Sequence, residues 1–243
     1  MMGVGAGRRF RATNPQENEK PCGFVRIVKN FFVGAINPRL RDVYDSSGVS
    51  TQGRLSMTDL SRLRQQAILR HAAGYVELGE LLVETDKPVP ATAARLLERA
   101  VATLDELPEA ERSIPAAALL RGEALRALGH WTEALEPLAE VVEGDPQRVE
   151  AWLGLGWCLK RLDRLPEAMD ALKRGLAIDP DQAILHYNLA CYLSLSGDPT
   201  TSVEHLAKAI ELDDRYRGLT EAEPDFDPIR TDPRFLAATH LAC

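Results

Sequence analysis

The sequence predicts an all-α fold, a right-handed solenoid of stacked helix-turn-helix repeats, and three observations predict it. Aromatic residues make up only 6% of a chain that is 45% hydrophobic, with Ala and Leu plentiful, a composition that favours helix over sheet. Asp145-Pro146 and Asp179-Pro180 stand 34 residues apart, and another 34 reach Asp213-Asp214. Between these marks large apolar residues recur at i, i+3 and i+7, the spacing of one helix face.

The first segment, residues 1–57, differs from the rest. Residues 1–22 are rich in Gly, Arg and Asn, without periodicity, and are expected to be disordered. At 24–36 an amphipathic helix is expected, because Phe24, Ile27, Val28, Phe31, Phe32 and Ala35 share one face and Arg26, Lys29 and Asn30 the other. That stripe suits packing on the first repeat or in its groove; the competing reading is an interfacial membrane helix or a partner-binding helix. A translation start at Met57 would leave the whole region out, which N-terminal sequencing distinguishes.

The solenoid itself is expected over 58–216. In the clearest window, 149–182, Trp152, Leu155, Gly156 and Leu159 mark a first helix and Ala168, Leu172, Gly175 and Pro180 a second. Ala118, Gly122, Leu125, Ala134, Leu138, Val141 and Pro146 repeat the pattern in 115–148. His186, Leu189, Ala190, Leu193, Ser202, Leu206, Ala209 and Asp214 repeat it in 183–216. Leu128-Gly129-His130, Leu162-Asp163-Arg164 and Ser196-Gly197-Asp198 place helix breakers at equivalent turns. A divergent copy at 72–107 keeps Tyr75, Leu78, Gly79 and Leu82, then Ala93, Leu97 and Ala100, around a turn about two residues longer. Its first helix is expected to begin near Thr58, where Leu60, Leu63, Ala67 and Ile68 extend the stripe.

From Trp152 to Pro180 the window matches, position by position, the pattern W-x2-L-G-x2-Y…A-x3-F…A…P, and the chain thereby resembles the tetratricopeptide-repeat family. Arg121 at an apolar position and Asp214 in place of the closing Pro are departures. The resemblance implies a concave groove lined by the first helix of each repeat, with a protein or peptide as partner. Carried onto this sequence, the lining residues are Glu123, Arg126, Leu153, Trp157, Lys160, Arg161, Tyr187 and Asn188, with Glu77, Glu80 and Glu84 at the divergent end. Gly154 leaves room for a partner side chain to enter. Members that bind Hsp70/Hsp90 tails hold a carboxylate between cations and amides. Here those positions carry Glu80, Leu120 and Glu150, or Glu123, Gly154 and Asn188 in the other register, so no carboxylate clamp is expected.

The last segment, 217–243, contains EPDFDPIRTDPRF. Asp227-Pro228 and Asp232-Pro233 each read as a helix cap followed by its first residue, and Phe226, Ile229, Phe235 and Leu236 as apolar residues that fold back over the final repeat. The stretch is similar to the end-of-group segment that closes some bacterial arrays, which implies a capping role. Ile229-Arg230 breaks the calcium-loop pattern, so no metal is expected from these acids.

Charge and chemistry narrow the function. Residues 1–57 carry nine Lys/Arg against four Asp/Glu, a balance of +5, which leaves −12 on the remainder of a chain of net charge −7. An acidic body repels phosphate backbones, so no nucleic-acid partner is expected. No stretch approaches roughly 20 uninterrupted apolar residues, so no stable membrane insertion is expected either. Cys22, Cys158, Cys191 and Cys243 lie apart without zinc spacing, and this, with Arg outnumbering Lys, points to a cytoplasmic, bacterial protein. The five histidines form no HExxH and accompany no GxSxG; His240 and Cys243 make a poor metal pair. Neither a cofactor nor catalysis is expected. The reading is a non-catalytic interaction scaffold, with a structural or assembly subunit attached through the N-terminal segment as the alternative.

Overall fold

In a computed structural model that describes residues 57–84 and 87–239, all the regular structure is helical. The helix expected at 24–36, the rest of 1–56, and the pair His240 and Cys243 lie outside the described residues. In chain order come α1 (Met57–Leu82), α2 (Ala91–Leu104), the single turn α3 (Glu109–Arg112), α4 (Pro115–Leu128), α5 (Trp131–Gly144) and α6 (Val149–Arg161). There follow α7 (Leu165–Ile178), α8 (Ala183–Ser196), α9 (Pro199–Leu212), α10 (Arg215–Leu219), a 3₁₀ segment (Pro224–Ile229) and α11 (Pro233–Thr239).

Hairpins form between α1 and α2, α4 and α5, α6 and α7, and α8 and α9. Each later hairpin packs its first helix on the second helix of the hairpin before it, and α1, α4 and α6 also touch in succession. This nearest-neighbour packing makes the molecule a helical solenoid. Within a hairpin the helices approach where a first helix offers no side chain. A Cβ at Gly122 would lie 2.6 Å from Leu138, and one at Gly156 2.8 Å from Leu172. In the fourth hairpin Ala190 holds that position, and Ser202 Oγ donates to its carbonyl at 2.7 Å.

The turns inside the hairpins use one backbone device at 34-residue intervals. Gly129 (φ 83°), Asp163 (φ 59°) and Gly197 (φ 82°) all adopt the left-handed conformation, which closes the helix and turns the chain. Glycine takes it without a Cβ clash, and Asp is among the side chains that tolerate it. Between hairpins a second device repeats at the same interval. Trp152 Nε1 donates to the Pro146 carbonyl at 2.9 Å, and His186 Nε2 lies 2.9 Å from the Pro180 carbonyl.

Two apolar clusters fill the interior. One, from Ile68 to Ala127, joins α1, α2 and α4; the other runs from Ala118 to Phe235 through the remaining hairpins. α4 serves both, Leu120 and Ala124 facing the first cluster and Ala118 and Leu119 the second.

The C-terminal segment folds onto α8 and α9. Phe226 is fully buried, with its ring 5.6 Å from Tyr187 and 5.4 Å from Phe235. Ile229 and Phe235 are buried as well, whereas Leu236 stays 39% exposed. The caps differ from the sequence expectation at one of two places. Asp232 does serve α11: Arg234 donates to it through its backbone N at 2.8 Å and its guanidinium. Those bonds, the side-chain one foremost, hold its carboxyl at about 2. Asp227 caps nothing; it lies inside the 3₁₀ segment and pairs with Arg230 at 2.9 Å. The segment starts earlier, at Pro224, whose fixed φ suits a first turn, and Glu223 Oε1 accepts from Asp225 N at 3.2 Å.

Candidate partner-binding face

Residues three and four apart on a helix share a face, so each first helix offers a short row of side chains on the same side. α4 contributes Glu123 and Arg126; α6 contributes Leu153, Trp157, Lys160 and Arg161; α8 contributes Tyr187 and Asn188. The structure sorts these eight residues into two groups.

The first group centres on Arg126. Its guanidinium donates to Glu123 Oε2 through Nε at 3.0 Å and Nη2 at 2.6 Å, and to Glu80 Oε1 of α1 at 2.5 Å. The three side chains are at most 9% exposed. Burial acts to lower the Arg126 pKa, but the Glu123 and Glu80 carboxylates outweigh it and hold the group firmly protonated. For Glu123 burial dominates and raises the pKa against the pull of Arg126, with Glu150 adding to the rise. The same burial pushes the nearby Cys158 thiol up to about 12. A buried ion pair of this kind costs about 3–5 kcal/mol to break from one side.

Outward from this triad the chemistry turns aromatic. The Arg126 guanidinium lies 5.5 Å from the Trp157 ring centre, and Arg161 lies 5.7 Å from Trp157 and 4.6 Å from Trp131. Trp131 and Trp157 meet edge to face with centres 6.2 Å apart. Trp157, Arg161 and Trp131 are half-buried, and the buried Trp131 Nε1 finds no acceptor among the described residues. Arg–Trp stacks of this kind are favourable and desolvate readily. The sequence does not single out Trp131, because it opens a second helix and the groove positions that the resemblance implies lie on first helices. Its place directly after the Gly129 turn, which points the start of α5 toward the same face, was the available signal.

In the second group, Lys160 and Tyr187 meet the chain's own C-terminal segment, and Asn188 and Leu153 are buried. Lys160 Nζ donates to Asp225 at 2.8 and 3.0 Å. Tyr187 is fully buried between Tyr216, 4.9 Å from it, and Phe226. Asn188 is buried too, and its Nδ2 donates to the Ile184 carbonyl one turn back at 2.7 Å. Leu153, 1% exposed, belongs to the core cluster. The room expected at Gly154 is taken: a Cβ there would lie 3.1 Å from Leu138 and 3.2 Å from Glu123 Oε1.

Among the described residues one group brings metal-ligand atoms together. Cys191, Glu223 and Asp225 each offer one atom within 4.8 Å of the others. The Lys160 ammonium already supplies a cation at Asp225, and Glu223 accepts from the Asp225 backbone, so Asp225 ties the C-terminal segment to α6.

Comparison with known proteins accords with this geometry. Family profiles described as tetratricopeptide repeat match residues 90–148, 119–183 and 183–216, together more than half of the chain. Among solved structures, a MamA RS-1 ArsTM double mutant is 19% identical, over 79% of this chain and 96% of its own, with a TM-score of 0.51. MamA from residue 41 to its end, from Desulfovibrio magneticus RS-1, is 17% identical over the same shares, with a TM-score of 0.52. At these identities the likeness is one of fold.

Proposed function

The chain belongs to the tetratricopeptide-repeat family, whose folds serve as protein-interaction scaffolds, and from that premise we propose that it is a non-catalytic module that binds a partner protein segment along its first-helix face. The observation that carries the proposal is the half-buried Trp131–Trp157 pair with Arg161 stacked on both rings. Trp and Arg dominate binding energy at protein interfaces because each combines a large apolar area with directed polar contacts.

The chain's own C-terminal segment indicates the partner's character. It sets Asp225 on Lys160 and Phe226 on Tyr187, an acid followed by an aromatic, beside the Trp157 patch. A partner segment combining acidic and apolar residues fits the same face, with Arg161 taking the acid and Trp131 and Trp157 the apolar side chain. Glu123 and Arg126 brace the patch from below, while Leu153 fixes α6, and Tyr187 and Asn188 fix α8. The acidic body disfavours nucleic acid, the residues at the clamp positions disfavour chaperone tails, and the buried thiols Cys158 and Cys191 suit a bacterial cytoplasm. Among the described residues no helix is long and apolar enough to cross a membrane.

A Trp157→Ala/Arg161→Glu variant tests the reading. Folded by circular dichroism, it should lose partners that wild type retains in affinity purification with mass spectrometry. Retention of every partner by the folded variant counts against the face.

A further inference from the structure

On α1, Gly74, Leu78, Leu81 and Leu82 form a strip that the described elements leave open. Leu78 is 54% exposed, Leu81 58% and Leu82 43%, and a Cβ at Gly74 would meet nothing within 4 Å. The register of the repeats makes this exposure anomalous. With Gly79 set on Gly156, their counterparts in the third hairpin include Leu155, Cys158 and Leu159, none more than 8% exposed. In the fourth hairpin the counterparts of all four are at most 6% exposed. Those helices are closed because the second helix of the preceding hairpin packs on them: a Cβ on Gly175 of α7 would stand 2.8 Å from Leu185 of α8. What α1 lacks is a helix of that kind, which elsewhere in the array is 14 residues long.

We propose that residues 24–36 of this chain dock on the α1 strip as an N-terminal capping helix. The segment has 13 positions and one apolar stripe, from Phe24 to Ala35, so it matches the missing element in length and in having a single face to bury. Residues 37–56 tether it, and about 20 residues extend to roughly 66 Å, while α1 is about 39 Å long. A tether of this length holds the segment at millimolar-order effective concentration, which favours it over a second copy of the chain. Charge agrees in bulk: the first 57 residues carry +5 and the body −12. This capping is independent of the Trp157 face and leaves that face accessible.

Hydrogen exchange of the full chain over residues 74–84 tests the docking. In wild type these amides should be protected, and Phe31→Glu/Phe32→Glu should lower that protection about tenfold with the rest of the array unchanged. Leu78→Glu/Leu81→Glu, at positions exposed in the array itself, should make residues 24–36 as sensitive to protease as the Phe variant does. Light scattering should give a monomer mass across the concentrations used. Protection unaffected by the Phe variant overturns the proposal. So does protection that grows with concentration alongside a dimer mass, which makes a second copy the occupant. Protection gained only with phosphatidylcholine/phosphatidylglycerol vesicles overturns it in favour of a lipid surface.

Discussion

The pair His186 and His205 shows how much one residue's surroundings can decide. A carbonyl oxygen only accepts, so the 2.9 Å contact between His186 Nε2 and Pro180 O requires the hydrogen on Nε2. His186 Nδ1 lies 2.8 Å from His205 Nδ1, close enough for the two rings to share a hydrogen. Burial, His186 and Lys173, in that order, lower the His205 pKa from its ordinary 6.5 to about 4. Between these two values the unfolded chain takes up a proton that the folded one refuses. The stability linked to His205 is therefore complete above pH 6.5 and drains away as pH falls toward 4. Between pH 7.5 and 5, wild type should lose more in melting temperature than His205→Gln, measured by thermal melts at both values. Equal losses would show that His205 is not the titrating group.

At the level of elements, the turns give the sharpest expectation. Asp163 holds the left-handed conformation that glycine holds at 129 and 197, and an L-residue there carries a steric cost of about 1–2 kcal/mol. Asp163→Gly should recover up to about 1 kcal/mol, and Gly197→Ala should lose about 1 kcal/mol, each read as a urea midpoint shift at constant m-value. A lower midpoint for Asp163→Gly would mean that its side chain supplies more than the turn costs. These turns were legible in the sequence because their determinants are local and recur every 34 residues, as do Gly122 and Gly156 at the helix contacts. The face was legible only in part. Trp157 and Arg161 could be placed by carrying the family's groove positions onto the sequence, but the partner of Lys160 is Asp225, 65 residues away. No periodicity links a repeat to a segment outside it. Gly154 misled for a related reason: spacing showed a missing side chain, while only packing shows that Leu138 and Glu123 fill the gap. The misplaced cap at Asp227 arose because Pro224 and Pro228 both suit a first turn, and choosing between them depends on where Phe226 must be buried.

For the whole molecule, the separation of the two apolar clusters governs how damage spreads. In a solenoid each repeat is stabilised chiefly by its neighbours. Phe226→Ala removes a fully buried ring from the second cluster and should cost about 3–5 kcal/mol there. Hydrogen exchange should quicken in α8 and α9 while α1 and α2, held by the first cluster, keep their protection. Uniform loss of protection along the chain would instead mean that the array unfolds as one cooperative unit.

The segment from Tyr216 to Phe235 closes the fourth hairpin, while Leu78, Leu81 and Leu82 stay exposed on the first. Among the described residues the array therefore has a polarity: one end is covered by the chain's own segment and the other presents an open strip. Among the described residues, that strip is where a further helix, such as residues 24–36 of the chain itself, would join the stack in a fixed orientation. Growth by head-to-tail stacking would need the sealed terminus to shed Phe226 and Asp225 first, so the cap sets a length limit on the molecule as well as protecting its last repeat.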